Sequence, residues 1–353
     1  MENIKITADK DLYSATEAHL PEDWHSETRT IESSLHRGYF ENGRSFLPSD
    51  EQQFDAYESG HITAFLVERH QSNPFFRSPV GAGLKHVLDI GTGKGSWAID
   101  VADMFPNAIV RGVDLFPPPV SWMPPNCVLE VDDVLQEWTW QQPFDLIHMR
   151  ILEGAFTHEE SNRLYKQCYE CVDQNSKAEK KNLLIFARSL RPGGWIELLE
   201  LTLDLQSEDN NWPQDCQLKE WYPLMRSAAE KSGRPLDLYD RCMDLVRDTG
   251  FVDIHEEIRK WPIGPWPRDK QLKEIGTVNL EHWLAGLEGY GMYLLTKFGV
   301  PKPWSKEEVQ VWLAQIRNEL RNTNYHTCHK VKRVWARKPF VDEVVLASVE
   351  AEH

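Results

Sequence analysis

Between residues 86 and 201 the hydrophobic positions gather into short runs, "HVLDI", "AIVRGV", "CVLEV", "FDLIHM" and "WIELLEL". Between some of these runs lie "KGSWAIDVADMF", "EESNRLYKQCYECV" and "KKNLLIFARSL", whose apolar residues recur at helical spacing. Strands alternating with helices require right-handed crossovers, and so predict a doubly wound α/β fold with a parallel sheet covered on both faces. The turn "RPGG" at 191–194 is expected to close a helix before the last of these strands.

The flanking regions follow other patterns. Residues 1–80 read as an N-terminal helical cap, with Ser49 and Gln52 as a capping box and Phe54, Tyr57, Ala64 and Phe65 at helical spacing. Residues 81–205 form the core, and 206–353 complete the sheet. In that last part "DLYDRCMDLVRDTG" predicts a helix with Leu238, Cys242, Leu245 and Val246 on one face and Gly250 at its end. It leads into a strand, "FVDIHEEI", whereas the next strand, "HKVKRVWA", arrives only near residue 329. The insert between them, about 260–328, carries a further helix. Ser305 and Glu308 open it as a capping box, and Val309, Trp312, Leu313, Ile316 and Leu320 face inward.

Composition narrows the partners. The chain has 353 residues, of which 41% are hydrophobic, enough for a full core. A net charge of -16 gives no footing on nucleic-acid phosphates or an anionic membrane surface. The first residues contain no apolar h-region and no window reaches the length of a membrane span, so a cytoplasmic protein is expected. The 6 cysteines are unevenly spaced and read as reduced thiols. Many of the 14 tryptophans stand beside prolines, where they either line a pocket for a flat aromatic ligand or pack loops onto the core.

The glycine turn after the first strand, "DIGTGKG", holds the candidate chemistry. It lacks the Lys-Ser/Thr pair of a P-loop, and Ser96 occupies the third glycine position of a dinucleotide fingerprint. Asp89, two residues before the first glycine, would repel a pyrophosphate but suits a ligand with an ammonium and a sulfonium, such as S-adenosylmethionine. Asp114 after the second strand suits ribose hydroxyls, and Asp132 and Asp133 after the third suit an adenine amino group. Ligands of doubly wound sheets bind at these strand ends.

Together "HVLDIGTGKGSWAID", "GVDLFP", "PPNCVLEVDDVLQEWTW", "FDLIHMR" and "LRPGGWIELLE" resemble the class I methyltransferases of filamentous fungi that group with the LaeA regulator of secondary metabolism. "LPSDEQQFDAYESGH" and "VWARKP" resemble the same family's pre-core helix and last strand. The likeness is least over the insert. It implies a Rossmann-like class I methyltransferase core with a seven-stranded sheet and S-adenosylmethionine as cofactor. By position it implies Asp89, Gly91 and Gly93 at the methionine part, Asp114 at the ribose and Asp133 at the adenine. His148 and Arg150 would stand near the methyl group, with Thr92, Leu115, Asp132, Val134 and Met149 as neighbours in the pocket. Tyr39 and the helix from Ser49 would close over the cofactor.

Candidate general bases are His148, Glu200 and His282, each with a purely structural alternative. Metal sites are not expected. Cys168 and Cys171 fall on one apolar helical face, and His326, Cys328 and His329 open a strand. The resemblance implies O-methylation of a small fungal metabolite, of which indole-derived alkaloids of the roquefortine and meleagrin type are examples. Two alternatives stay open: a LaeA-like regulator acting through protein partners, and a cofactor binder serving another reaction such as cyclisation.

Overall fold

The computed structural model describes residues 39–41, 44–46, 51–81, 83–116, 120, 122–169 and 189–343. Strands β1 (Tyr39–Glu41) and β2 (Arg44–Phe46) form an antiparallel hairpin ahead of helix α1 (Glu51–Glu68). The core follows as β3 (His86–Ile90), α2 (Ser96–Met104), β4 (Ile109–Asp114), β5 (Cys127–Val131), β6 (Phe144–Arg150), α3 (His158–Tyr169) and β7 (Leu190–Leu201). The remainder comprises β8 (Gln206–Ser207), α4 (Leu218–Ser232), α5 (Leu238–Thr249), β9 (Val252–Pro262), α6 (Lys270–Phe298), α7 (Lys306–Leu320) and β10 (Thr327–Arg337).

The main sheet runs β5-β4-β3-β6-β7-β10-β9, parallel from β5 to β7, with β10 antiparallel between β7 and β9. Short β8 pairs with the start of β10 and extends the β7 position, so eight strands occupy the seven positions expected. Central strands are buried on both faces, which is why they read as continuous apolar runs. Alternate residues face opposite layers. Val87 and Leu146 pack on Trp97, Ala98 and Val101 of α2, whereas Leu88, Ile90, Ile147 and Met149 join Leu164, Leu245 and Val246 of α3 and α5.

A third cluster lies beyond β7, where α4, α6 and α7 press Trp221, Trp283, Leu295, Trp312 and Leu313 onto Leu201, Trp261 and Val331. The capping box of Ser305 and Glu308 is formed at α7, and Gly250 ends α5 in the left-handed conformation at φ 104°. No helix among the described residues is long and apolar enough to cross a membrane.

One expectation meets a different local structure. "RPGG" lies within β7 rather than ending a helix: Gly193 donates to the Lys338 carbonyl, and the pairing of β7 with β6 shifts register there. Most of the expected helix "KKNLLIFARSL", the Ser49 cap and the side chains of Gln52 and Tyr39 fall outside the described residues. The expected helix is present as α1, whose buried side includes Ala56, Gly60, His61, Thr63 and Ala64, while Tyr57 and Phe65 are exposed. The reason is α6, which lies so close along α1 that a Cβ on Gly60 would sit 3.0 Å from the His282 ring.

Because even a Cβ at Gly60 would crowd the His282 ring, Gly60→Leu is expected to lower stability by about 1 to 3 kcal/mol, the usual range for overpacking. Urea unfolding of the two proteins measures it, and equal midpoints would mean that the contact is loose.

Candidate cofactor and substrate site

The turn after β3 is held from below. Asp89, only 3% exposed, accepts a hydrogen bond from Thr92 Oγ1 at 2.7 Å on one carboxylate oxygen and from His148 Nδ1 at 2.7 Å on the other. His148 is itself buried and stacks on Trp97 with ring centres 3.7 Å apart and planes 3° from parallel. Burial lowers the His148 pKa more than Asp89 raises it, which keeps the ring neutral with Nδ1–H donating. Asp89 and His148 therefore brace the turn from the interior.

The turn also clips to its neighbour, since the N–H groups of Gly91 and Thr92 both donate to the Val113 carbonyl. Gly91 has φ 71°, and a Cβ there would come within 2.5 Å of Leu152, so the position requires glycine. Asp114, at the tip of β4, accepts from Gly93 N–H at 2.8 Å, and burial raises its pKa against the pull of its backbone donors. Leu115 is partly exposed beside it. The Asp132 N–H donates to the Asp114 carbonyl, which sets the third strand end next to the second. Asp133 turns back to accept from Leu135 N–H and Gln136 Nε2.

The structure thus gathers Asp89, Gly91, Thr92, Gly93, Asp114, Leu115, Asp132, His148 and Arg150 about one sheet edge. Met149 and Val134 instead join the apolar layer against α3 and α5. Of Tyr39 only the strand position is described.

Helix α1 closes over this edge. A Cβ on Gly93 would lie 3.2 Å from the Tyr57 ring, Glu58 accepts from Ser96 Oγ at 2.6 Å, and His61 Nε2 hydrogen-bonds Asp100 Oδ2 at 2.8 Å. His61 Nδ1 faces Arg150 Nη1 at 3.1 Å. These α1 residues were not chosen from sequence, although Tyr57 and His61 share a helix face at i and i+4.

A second group lies past β6. Ile151 adopts φ 53°, an unusual conformation for a β-branched residue, and donates to the Leu199 carbonyl. The next N–H, of Leu152, donates to both oxygens of Glu200. Glu200 is fully buried, and burial followed by the charge of Glu153 raises its pKa well above the ordinary range. Glu153 accepts from the N–H groups of Leu238 and Tyr239, yet burial still pushes it up to about 7. The Tyr290 hydroxyl of α6 is raised too, first by burial and then by Tyr57, Glu153 and Glu200, which brings those four side chains into one neighbourhood.

His282 also belongs to the α1–α6 seam. Its Nδ1 lies 2.7 Å from the Ala56 carbonyl oxygen, so Nδ1 carries the proton and donates, and burial lowers its pKa. Around "HTCHK", His326 pairs with Asp209, Cys328 contacts Glu208 and His329 meets Asn279. Among the described residues no three potential ligands converge as a metal site.

A family model described as a methyltransferase domain matches residues 52–254. The chain belongs to this methyltransferase family. It is 31% identical over 328 residues to methyltransferase pytC of Aspergillus terreus, covering 90% of this chain and 93% of that protein. It is 30% identical to the secondary metabolism regulator LAE1 of Cochliobolus heterostrophus, covering 85% and 95%. Among solved structures, a Haemonchus contortus phosphoethanolamine N-methyltransferase with bound S-adenosylhomocysteine shares 17% identity at a TM-score of 0.42, covering 82% of this chain and 58% of that one. The protein is a class I methyltransferase in fold, and its cofactor is S-adenosylmethionine. An exposed glycine lip and strand-end carboxylates fit a neutral nucleoside joined to a cationic sulfonium.

The Glu153 carboxyl gives a stability test. Its folded pKa of about 7 exceeds the ordinary 4.5, so between those values the folded chain holds a proton that the unfolded chain has released. Stability should therefore fall as pH rises from 4.5 to 7 and then level. Urea unfolding across this window should show a shallower decline for Glu153→Gln, and an identical decline would remove Glu153 as its source.

Proposed function

We propose that the protein transfers the methyl group of S-adenosylmethionine to an oxygen of a small aromatic metabolite. The observation that carries this reading is the meeting of α1 and the loop after β6 at the glycine turn, where Tyr57 lies against Gly93 and Leu152 against Gly91 with its N–H on Glu200. Aromatic walls over interior carboxyl groups suit a flat, partly polar ligand. Indole-derived alkaloids of the roquefortine and meleagrin type are the first substrates to try.

The bound cofactor supplies a methyl group on a sulfonium, which the acceptor displaces in line. In this reading Asp89, Gly91, Thr92 and Gly93 shape the seat of its methionine part, Asp114 and Leu115 flank the ribose, and Asp132 and Asp133 flank the adenine. Helix α1 and the insert exclude water and hold the acceptor oxygen, positioning that can supply roughly 7 to 11 kcal/mol of such a barrier.

Of the three candidate bases, we assign proton removal to His282. Its Nδ1–H is spent on Ala56, which leaves Nε2 as the basic nitrogen, and its lowered pKa keeps that nitrogen unprotonated near neutral pH. His148 is engaged with Asp89 and Trp97, and Glu200 with Leu152. Both act as supports.

The regulatory reading draws on the likeness to LAE1. The two readings part on the methyl acceptor. Mass spectrometry after incubation with S-adenosylmethionine and a fungal metabolite mixture should find one component heavier by one methylene. Label entering protein and no metabolite would instead favour the regulator.

With that substrate, His282→Gln, which keeps a donor for Ala56 but no base, should lower kcat by about 10²- to 10⁴-fold and leave S-adenosylhomocysteine affinity unchanged. The acid limb of the wild-type kcat profile should lie below 6.5, because only the neutral ring accepts a proton and its pKa is shifted down from that value. A limb at or above 6.5 would exclude His282.

A further inference from the structure

Strand β9 lies at an edge of the main sheet. It pairs with β10 along one side, and among the described residues no strand pairs with its other side. An edge of 11 residues presents a row of backbone donors and acceptors on which another strand can pair. Such edges are usually guarded by proline, by a bulge or by charged side chains. In β9 the one proline is the last residue, Pro262, and the register shift lies opposite its first residues, where Asp253 leaves the extended conformation at φ 49°. The guard that remains along the middle of the strand is charge.

The order of those charges has a two-fold pattern. The middle of β9 reads "EEIRK", two acids and two bases about Ile258. When two β9 strands pair antiparallel about an axis at Ile258, Glu257 faces Arg259 of the second copy and Glu256 faces its Lys260, and each contact occurs twice. Ile258 meets its own copy at the axis. Moving the axis by one residue would set Glu257 on Glu257 or Arg259 on Arg259, and like charges directly opposite each other are destabilising. Charge therefore selects a single register.

The side chains are open to such a partner. Ile258 is 50% exposed, and Glu256 and Lys260 share its face of the sheet by strand alternation. Within their own chain these two touch Lys332 at 3.3 Å and Glu208 at 2.8 Å, while Glu257 and Arg259 pair with each other on the opposite face. A second copy extends these separate pairs into networks of alternating charge, which contribute more than isolated surface pairs.

We propose that two copies of the protein join through β9, antiparallel about Ile258, so that their sheets become one continuous sheet. The contact is isologous, so it closes at a dimer and removes the open edge of both copies. β9 stands four places from β3 in the sheet order, and the contact does not depend on what the glycine turn binds.

The test is sedimentation velocity of the full chain over a range of concentrations. Wild type should approach twice the mass of one chain. Glu256→Lys sets like charges against Lys260 of the second copy, and Lys260→Glu does so against its Glu256, so each variant should weaken the dimer by about tenfold or more. An equimolar mixture of the two variants restores both opposite-charge contacts and should regain the wild-type affinity. Should a variant fail to fold, Ile258→Cys carries the test: at the axis two thiols fall within disulfide reach, and mild oxidation should link the copies, whereas Glu256→Cys, away from the axis, should stay unlinked. Wild type that stays monomeric throughout, a dimer that both charge variants leave intact, or a mixture no tighter than its components overturns the proposal. Links formed equally at both cysteine positions, or at neither, overturn it as well.

Discussion

A carboxyl group in the interior is tolerated only when its oxygens are satisfied, and the site is organised around one such group. Asp89 is closed off from water and divides its oxygens between Thr92 and His148. Those two bonds join the turn to the adjacent strand, and the stack of His148 on Trp97 ties both to α2. The backbone of Gly91 and Thr92 is in turn fixed to β4. The sequence reading set Asp89 at the methionine part of a cationic ligand. In the structure its carboxylate lies beneath the turn, bonded to Thr92 and His148.

Helix α1 connects this turn to the rest of the molecule. On one side Tyr57, Glu58 and His61 reach the glycine turn, α2 and Arg150; on the other Ala56 and Gly60 admit α6 at close range. The insert therefore reaches the site through α1, and His282 and Tyr290 arrive beside the loop after β6 by that route. The strained Ile151 belongs to the same construction, because its left-handed turn presents Leu152 N–H to Glu200 and places Glu153 at the start of α5.

What the sequence made legible follows from local periodicity and from strand ends. The apolar runs, the α5 and α7 helices with Gly250 and Ser305 at their ends, and the acids following β3, β4 and β5 each have a short-range signature. The inward side of α1 had none, because a close helix contact selects small residues there and leaves Tyr57 and Phe65 exposed. The meeting of Glu153, Glu200 and Tyr290 joins residues from the loop after β6, from β7 and from α6. In "RPGG" the usual turn composition served a bulge within a strand, since β10 and the residues after it supply partners that no local pattern announces.

The central claim is that the turn braced by Asp89 is the seat of the cofactor, and titration of S-adenosylhomocysteine into wild type and Asp89→Asn tests it most directly, with thermal unfolding followed in parallel. The account predicts saturable binding to wild type, and a variant that unfolds cooperatively but binds at least about tenfold more weakly, the scale of one charged hydrogen bond. A folded Asp89→Asn protein that binds as tightly as wild type would contradict it.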